Sequence, residues 1–377
     1  MNILLIGEYS RLHNSLKEGL LSFNHEVKIM GFDDSFKNYP TDLKIIKKWD
    51  NGFLKKIKLL IYKLFNFDIS SYLTYLQFKK HQNQFKNYDV VQLINENSFF
   101  CDYFYERKIL DFIFKNNKKT YLLSCGDDYS YVTHNFKNFD NKSIIQPYLE
   151  GKITDENFIN SLKFLKNEYK KLHDFVYKNV QGIIASDIDY HIPLIGNKKY
   201  LGLIANPINI YKIKFIEPII NDKIIIFLGI NRGNYFQKGI DFFEEALTII
   251  QKKYAEKVQV IVTENVPYAE YINLYDQSHI LLDQIYAHDQ GYNALEAMAK
   301  GKVVFTGAEI EFENLYNLTE KVAINALPNV DYLVNKLSFL IENPEEIIKI
   351  AHNARLFIEN EHDYKKIAQQ YIDKWSN

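Results

Sequence analysis

The sequence predicts an α/β protein made of two Rossmann-like, doubly wound domains that face each other across a cleft. Short β-branched runs alternate with longer helical patterns, which is typical of a parallel sheet covered by crossover helices on both faces. The alternation begins again at residue 224, and 377 residues exceed the usual size of one hydrophobic core. We therefore predict a first domain at 1–205, a second at 206–360, and a final segment, 361–377, that returns to the first domain.

The first domain contains most of the predicted strands. A strand at 2–6 leads through a polar loop into a helical pattern at 15–23. Further strands are predicted where short β-branched or apolar runs are bounded by polar residues, at 27–30, 90–93, 120–123 and 182–185. These runs predict one doubly wound sheet.

The second domain restarts the pattern with a strand at 224–228 and a helix at 239–254. Further strands are predicted at 258–262, 280–282 and 303–305. We place the crossover between the domains near Pro207, because proline fixes its own φ and cannot continue a helix. The stretch from Pro344 to Trp375 has two helical blocks separated around 360–363, and we expect the last block to cross back.

The composition argues against several classes of protein. The formal net charge of -1 provides no global field for nucleic acid, so we expect no nucleic-acid partner. Cys101 and Cys125 are too few for a disulfide framework or a tetrahedral zinc site, which indicates a reducing compartment. The first residues lack the features of a signal peptide, and the strongest apolar run, 224–230, is too short to span a bilayer. We expect a cytoplasmic protein.

A loop with two cations, Arg232 and Lys238, follows the strand that starts the second domain. Ligands of doubly wound folds bind at such carboxyl ends of strands. A nucleoside diphosphate needs cations and donors, and arginine offers a planar fork while lysine offers a mobile charge. The loop alone does not distinguish a phosphate site from a solvated loop.

The segment 288–296 is a glycine turn that opens into a helix, and Gly301 ends that helix. A helix that begins near Gly291 would direct free N–H groups and its positive dipole end at an anion. Glu296 lies about one turn further along, where its carboxylate can accept two ribose hydroxyls. Asp283 ends the strand at 280–282 and is expected to point into the same cleft.

The run 295–302, Leu-Glu-Ala-Met-Ala-Lys-Gly-Lys, resembles the signature of the family 4 retaining glycosyltransferases (glycosyl transferases group 1), which have the GT-B fold. That family has an E-x7-E pattern, with the second glutamate on the donor ribose and the first near the donor sugar. Its preceding loop supplies an arginine and a lysine to the diphosphate. The resemblance implies these roles for Glu296, Arg232 and Lys238, and the segment 264–268 resembles the loop beside the nucleobase.

The resemblance extends to the loop after the first strand, so we include Gly7 among the donor-binding residues together with Gly291, Tyr292 and Asp283. One position departs from the pattern. His288 stands eight residues before Glu296, where the family has its first glutamate. We expect His288 at the catalytic centre, with either an altered donor preference or a non-catalytic relative as the consequence.

Paired acids, Asp127 and Asp128, follow a glycine turn at the end of the strand at 120–123. Paired carboxylates can orient an acceptor hydroxyl or support a developing positive charge on the donor sugar. Either aspartate could instead cap a helix with its side-chain oxygen. We predict both as catalytic residues, with Asp128 the stronger candidate.

The segment 53–65 predicts a basic amphipathic helix, with an apolar stripe on one face and lysines on the other. Such a helix can lie on anionic lipid, or it can pack its stripe on the core and leave its lysines in solvent. The sequence does not decide between the two, so an anionic membrane surface is a possible partner.

Taken together, these features predict an enzyme that moves a sugar from a nucleotide-diphosphate donor to a glycan, lipid-linked or protein-attached acceptor. The resemblance implies retention at the anomeric carbon, and we expect neither a metal nor another cofactor. Bacterial surface polysaccharide or glycoprotein synthesis is the expected setting. The alternatives are a non-catalytic relative that binds nucleotide sugars or glycans, and a sugar-nucleotide epimerase on the same fold. A dehydrogenase is disfavoured, because the loop at 7–12 lacks the G-x-G-x-x-G turn.

Overall fold

The computed structural model describes residues 1–32, 39–138, 142–264 and 266–376, and it contains two parallel sheets. The first sheet has the order β3-β2-β1-β4-β5-β6-β7, and the second has the order β12-β11-β10-β8-β9. The strands of the first sheet are β1 (Asn2–Ile6), β2 (Glu26–Phe32), β3 (Leu43–Ile45), β4 (Val90–Leu93), β5 (Lys119–Ser124), β6 (Gly182–Ala185) and β7 (Tyr200–Leu203). The strands of the second are β8 (Ile224–Ile230), β9 (Val258–Glu264), β10 (Ile280–Leu282), β11 (Val303–Thr306) and β12 (Ile324–Asn325).

Helices connect these strands and cover the sheets. Those of the first half are α1 (Leu12–Ser22), α2 (Gly52–Phe65), α3 (Ile69–His81), α4 (Tyr103–Asn116), α5 (Tyr129–Asn138), α6 (Gln146–Leu149), α7 (Asp155–Leu162), α8 (Asn167–Asn179) and α9 (Ile188–His191). Those of the second half are α10 (Ile240–Lys253), α11 (Tyr268–Gln277), α12 (Tyr292–Ala299), α13 (Ile310–Leu315), α14 (Val330–Glu342), α15 (Pro344–Glu361) and α16 (Tyr364–Ser376). Among the described residues, no helix combines the length and the apolar composition needed to cross a membrane.

The central strands are apolar on both faces, as expected for a parallel sheet between two layers of helices. Ile3, Leu4, Leu5 and Ile6 of β1 are completely buried, and β1 pairs in parallel with β2 and β4. In the second sheet, β8 pairs in parallel with β9 and β10. The predicted fold class, two parallel-sheet domains of the α/β type, is confirmed.

Three strands were not predicted, and all three lie at the edge of a sheet: β3, β7 and β12. They have four residues or fewer. An edge strand is paired on one side only and is partly exposed, so its sequence lacks the continuous apolar run of a central strand. The sequence pattern therefore identified the interior strands and the longer edge strand β9, and it missed the short edge strands.

The last helix, α16, lies against α1 of the first domain. A Cβ added to Gly19 of α1 would come within 2.3 Å of the Tyr364 carbonyl oxygen, so the two helices approach closely because this residue is glycine. Trp375 is buried, and its carbonyl oxygen accepts a hydrogen bond from the Lys119 ammonium at 2.8 Å. The chain thus ends on the sheet where it began.

The carboxyl ends of the two sheets meet. Asp289, which follows β10, accepts a hydrogen bond from the backbone N–H of Ile188, which follows β6, at 3.1 Å. This contact brings loops from both domains to one place, where ligands of parallel sheets bind.

Candidate functional site

Lys238 is held at the carboxyl end of the second sheet by Asp283. The loop between β8 and α10 carries the lysine, and Asp283 directly follows β10, so neighbouring strands bring the two side chains together. The Lys238 Nζ lies 3.1 Å from Asp283 Oδ1, and the side-chain amide of Asn293 donates to the same oxygen at 3.0 Å. The Asp283 side chain is only 3% exposed, whereas that of Lys238 is 29% exposed. The ammonium group is therefore positioned by a buried acid and still reaches the solvent.

Glu296 lines a cavity of about 510 Å³ next to this group, a volume suited to a small-molecule ligand. Asn293 contributes to the same wall and links the cavity to Asp283. The rest of the lining combines cationic, acidic, aromatic and apolar side chains: Arg11, Lys212, Ile213, Lys214, Ile216, Tyr271, Ile272, Tyr275, Asp276 and Lys300. We call this space the Glu296 cavity.

Arg11 brings a cation from the first domain to the Glu296 cavity, and sequence reasoning did not identify it. It follows β1 in a left-handed backbone conformation with φ 78°, and its guanidinium pairs with Glu18 at 3.3 Å. Burial opposes the charge of Arg11, but the nearby acids Glu18 and Glu296 raise its pKa. The only sequence signal was the position of Arg11 after a strand end, which many loop residues share.

Arg232 lies apart from the Glu296 cavity. Its guanidinium pairs with Glu264 at 2.8 Å and lies over the ring of Tyr235, 4.8 Å from the ring centroid. It lines a different cavity, of about 450 Å³, between its own loop and residues 152–157 of the first domain. In the predicted nucleobase loop, Glu264 is thus the partner of this arginine, and Asn265 lies outside the described residues. The structure therefore brings Lys238 near Glu296 but does not place Arg232 in the same cavity.

Tyr292 connects the domains through its hydroxyl group. The hydroxyl donates to the carbonyl oxygen of Pro207 at 2.8 Å, so the Ser15 hydroxyl, at 2.6 Å, is the donor in the second contact. Gly291 precedes the first turn of α12 and caps it in an extended conformation. The Tyr292 hydroxyl is therefore used by a domain contact, and its contact with the donor stays a prediction.

Gly7 shapes the turn after β1. Its N–H donates to the carbonyl oxygen of Met30 at 2.8 Å, and its carbonyl oxygen lies 2.7 Å from Nδ1 of His13. With φ 93°, it adopts a left-handed conformation that favours glycine, and an added Cβ would approach Ile94 to 2.1 Å. Both backbone polar groups are already paired within the first domain, so this structure gives Gly7 a packing role, and its contact with the donor stays a prediction.

The paired acids of the first domain are held by the protein itself. Asp128 is buried and caps α5: its Oδ1 accepts the backbone N–H of Tyr131 at 2.7 Å, and its Oδ2 accepts the Ser124 hydroxyl at 2.6 Å. Burial and the charge of Glu96 raise the pKa of Asp128 to about 7. Asp128 therefore matches the capping alternative, and its side chain is shielded from solvent.

Asp127 accepts a hydrogen bond from the Ser161 hydroxyl, and burial raises its pKa. This contact joins the turn after β5 to α7. Its side chain is partly exposed, so Asp127 is the more accessible of the two predicted catalytic acids. The catalytic role of both acids stays a prediction.

His288 belongs to an acidic cluster between the domains. Its Nδ1 lies 2.9 Å from Asp189 Oδ1, and its ring is nearly buried. The carboxylate oxygens of Asp187, Asp189 and Asp289 lie within 4.8 Å of one another. Asp187 and Asp189 escaped the sequence analysis because they precede His288 by about 100 residues, and no motif connects them.

Burial and like charges control this cluster. Burial, followed by the charge of Asp189, raises the pKa of Asp187 to about 8. Burial and the charge of Asp187 raise the pKa of Asp289 well above its ordinary value. Three carboxylates at this spacing can share protons or hold a divalent cation. The raised pKa values of Asp187 and Asp289 apply to the cluster without a cation, in which the carboxylates share protons.

Glu8, which follows β1, is a further acid that the sequence analysis did not select. Its Oε2 accepts the backbone N–H of Asn14 at 2.8 Å and the Asn14 side-chain amide at 2.6 Å. Burial raises its pKa to about 7. Among the residues that the structure describes, its Oε1 is buried without a hydrogen-bond partner. Glu8 therefore adds a proton-carrying group to the carboxyl edge of the first sheet.

Replacing Asp187 by asparagine is expected to raise the stability of the protein relative to the wild type, and to raise it more at pH 9 than at pH 5. The folded protein keeps the Asp187 proton up to a pKa of about 8, whereas the unfolded chain loses it near pH 4. The wild type therefore loses this stabilisation as the pH rises through that window. Asparagine keeps the oxygen that accepts the N–H of Tyr190 and carries no charge.

Thermal unfolding at both pH values measures this effect. We expect the difference in Tm between Asp187→Asn and the wild type to grow by roughly 3 °C, equivalent to about 2 kcal/mol for a chain of this length. The control variant is Asp331→Asn, on the exposed first turn of α14. A Tm difference for Asp187→Asn that does not change with pH contradicts the proton-sharing cluster.

The architecture and the site together define a class: two parallel-sheet domains whose carboxyl ends meet at a cleft lined by cations and acids. This is the fold of the GT-B glycosyltransferases. Residues 237–373, which include Lys238, Asp283 and Glu296, match the protein family described as "Glycosyl transferase-like". The predicted resemblance to GT-B glycosyltransferases is confirmed. No curated protein sequence matches the chain.

Solved structures with the same fold cover the whole chain. Sucrose-phosphate synthase from Thermosynechococcus elongatus has a TM-score of 0.64 at 12% identity, covering 100% of this chain and 98% of its own. Anabaena HepE in complex with UDP and glucose has a TM-score of 0.61 at 12% identity, covering 100% of both chains. S. aureus TarM in complex with Fondaparinux, alpha-GlcNAc-glycerol and UDP has a TM-score of 0.60 at 11% identity, covering 100% of this chain and 99% of its own.

Proposed function

We propose that this protein is a glycosyltransferase that moves a sugar from a nucleotide-diphosphate donor to a glycan, lipid-linked or protein-attached acceptor. The observation that carries the proposal is the match to a glycosyl transferase-like family over the segment that contains Lys238, Asp283 and Glu296. In this structure the three residues belong to one connected group at the carboxyl end of the second sheet. A UDP-type donor is the first candidate, since HepE and TarM were solved with UDP.

In the proposed reaction, the bond between the anomeric carbon and the diphosphate oxygen breaks and leaves its electron pair on the phosphate. Lys238 compensates the charge that develops there, supported by the N-terminal end of α12. Glu296 accepts hydrogen bonds from the ribose hydroxyls in the adjacent cavity. The acceptor oxygen forms the new bond on the same face of the sugar and passes its proton to a leaving phosphate oxygen, so the configuration is retained.

Arg232 takes part in this proposal only after it exchanges Glu264 for phosphate. Its side chain is 52% exposed, and the ion pair with Glu264 lies at the surface, where such pairs contribute little stability. A doubly charged diphosphate is a stronger partner for the guanidinium than one carboxylate. The exchange therefore costs little free energy, and it would bring the second predicted cation to the donor.

Metal independence is part of the proposal, because Lys238, Arg11 and the end of α12 supply positive charge without a cation. We expect at least one nucleoside diphosphate to raise the Tm of the protein in the presence of EDTA. A ligand present at about 100 times its Kd stabilises a protein by about 2.7 kcal/mol. The measurement is a thermal-shift screen over nucleoside diphosphates and nucleotide sugars, each with EDTA and with Mg²⁺.

Two outcomes of this screen oppose the proposal in different ways. A response that requires Mg²⁺ contradicts metal independence, and the Asp187→Asn variant then reports whether the acidic cluster holds the ion. A flat screen under both conditions contradicts a nucleotide-sugar site. Nucleoside monophosphates are the matched control, since they lack the second phosphate that Lys238 is proposed to bind.

A non-catalytic nucleotide-sugar or glycan-binding protein is the second candidate, and the site of His288 favours it. The family pattern has a glutamate there, whereas the Nδ1 of this histidine is held by Asp189. Such a protein would bind the donor in the thermal-shift screen without breaking its glycosidic bond. A sugar-nucleotide epimerase remains a further alternative, since one fold hosts several reactions.

The proposed setting is the cytoplasmic side of bacterial surface polysaccharide or glycoprotein synthesis. The support is indirect: HepE and TarM come from bacteria, and TarM was solved with glycan-type compounds. Candidate acceptors can be compared directly, with free oligosaccharides, lipid-linked sugars and glycopeptides as three parallel substrates.

A further inference from the structure

Helix α2 presents its most hydrophobic side chains to the solvent. No residue of this helix is buried, and Phe53, Leu60 and Leu64 are 75%, 55% and 65% exposed. Ile57 and Ile61 are half-buried and form the side that rests on the protein. Packing on the core, one of the two predicted uses of this helix, therefore accounts for the inner side only.

The exposed side chains form one face of the helix. Phe53, Leu60 and Leu64 are separated by seven and four residues, and this spacing places them on the same side. Lys56 and Lys63 lie within three or four residues of Leu60 and flank this apolar face. A helix that packs on a core turns its apolar face inward, whereas α2 has a further apolar side that faces the solvent.

The charge of α2 is entirely positive. The helix carries four lysines and no acid, and only Lys58 is turned back to the protein, where it pairs with Asp50. Among the described residues, Lys55, Lys56 and Lys63 have no acidic partner. The apolar face is therefore bordered by cations that have no counter-charge within the protein.

The neighbouring helices extend this surface. α2 packs on α3, and α3 packs on α4. On α4, Phe104 is exposed and the ammonium of Lys108 lies 4.0 Å from its ring centroid. α3 ends in Lys79 and Lys80. Lys79 lines one groove with Phe104 and Lys108, so cations are also present on the helices that follow α2.

We propose that α2 docks the protein on the surface of an anionic lipid bilayer. Phe53, Leu60 and Leu64 enter the boundary between headgroups and acyl chains, and the flanking lysines contact the lipid phosphates. A second copy of the chain would fit this face poorly, because a symmetric contact would bring the unpaired lysines of both copies together. A bilayer offers apolar and negatively charged partners at once.

Docking by α2 would place the part of the first domain that lines a groove with this helix beside the membrane. A groove of about 300 Å³ runs along the protein side of α2. Leu59 and Tyr62 of the helix line it opposite Phe100 and Tyr103, which follow β4 at the carboxyl end of the sheet. The proposal concerns location and does not depend on the proposed glycosyl transfer.

Flotation of the full chain with lipid vesicles tests this proposal. We expect the wild type to float with vesicles of phosphatidylcholine and phosphatidylglycerol and to stay at the bottom with phosphatidylcholine alone. Changing Lys55, Lys56 and Lys63 to glutamine is expected to weaken binding to anionic vesicles by roughly 100-fold. Changing Phe53, Leu60 and Leu64 to serine is expected to abolish flotation.

A matched control carries the same kind of change elsewhere. Ile249→Ser, Phe339→Ser and Leu356→Ser remove three exposed apolar side chains from the second domain, and this variant should float like the wild type. Circular dichroism verifies that all variants are folded. A wild type that stays at the bottom with anionic vesicles, or an apolar variant of α2 that still floats, overturns the proposal. A dimer in sedimentation velocity that the apolar variant dissociates would assign this face to a second copy.

Discussion

Changing Lys238 to alanine is expected to lower donor turnover by about 100-fold, the usual effect of removing one group that stabilises developing negative charge. The ammonium lies at the carboxyl end of the second sheet, is fixed by Asp283 at 3.1 Å, and still reaches solvent. No other cation is held by Asp283 among the described residues, so the loss should not be compensated locally. The measurement is the release of nucleoside diphosphate at saturating donor.

This variant needs a control for folding, because alanine leaves the buried Asp283 carboxylate with one donor fewer. The double variant Lys238→Ala and Asp283→Asn removes both charges and should regain the wild-type Tm without regaining turnover. Lys349→Ala is the matched surface control, since Lys349 forms an exposed pair with Glu320. Turnover near the wild-type value in Lys238→Ala would remove this residue from the site.

Changing Glu296 to alanine is expected to weaken donor binding by about 100-fold, because two hydrogen bonds between a carboxylate and ribose hydroxyls are lost. Glu296 lies in the wall of the cavity of about 510 Å³, next to Asn293 and opposite Arg11. The effect should appear in the KM for the donor more than in kcat, since the ribose is remote from the reacting bond. The measurement is donor turnover over a range of donor concentrations.

Two comparisons separate a ribose contact from a structural role. The 2′-deoxyribose form of the donor should bind the wild type more weakly, and it should lose less affinity in Glu296→Ala than the ribose donor does, because only its 3′ hydroxyl is left to contact the carboxylate. Glu320→Ala, on the surface of the second domain, provides the control for loss of a carboxylate. Equal losses for the ribose and deoxyribose donors in Glu296→Ala would assign Glu296 to another function.

The sequence was sufficient to predict the fold class because the hydrophobic pattern of each strand and helix lies within its own residues. Central strands such as β1 and β8 are continuous apolar runs, and their periodicity differs from that of the helices between them. The edge strands β3, β7 and β12 lack this signal, since only part of each strand is covered. Local pattern therefore predicts which residues form a sheet interior and is weak at its borders.

The candidate site was predictable where its residues lie in segments that resemble a known family. Lys238 and Glu296 lie in segments with a family resemblance, and the structure connects them through Asp283 and Asn293. The acidic cluster was not predictable, because its members come from different domains and meet only after folding. Arg11 reaches the Glu296 cavity in the same way.

Single residues are ambiguous where two uses of one side chain fit the same sequence. An aspartate just after a strand, such as Asp128, can belong to a catalytic loop or can cap a helix. In the structure Asp128 is buried and accepts two hydrogen bonds, which favours the helix cap. Tyr292 begins α12, and its hydroxyl is taken by Ser15 of the first domain and by the carbonyl oxygen of Pro207 near the crossover. These choices depend on tertiary partners that spacing along the chain does not reveal.

The central claim, glycosyl transfer at the Lys238 and Glu296 group, is tested most directly by following nucleotide sugars with the wild type by NMR. We expect nucleoside diphosphate to appear together with a new anomeric signal of the same configuration as the donor, and to appear far more slowly with Lys238→Ala. An unchanged donor across the panel would contradict catalysis and favour a binding protein. An epimerised donor without release of nucleoside diphosphate would contradict glycosyl transfer and assign the site to an epimerase.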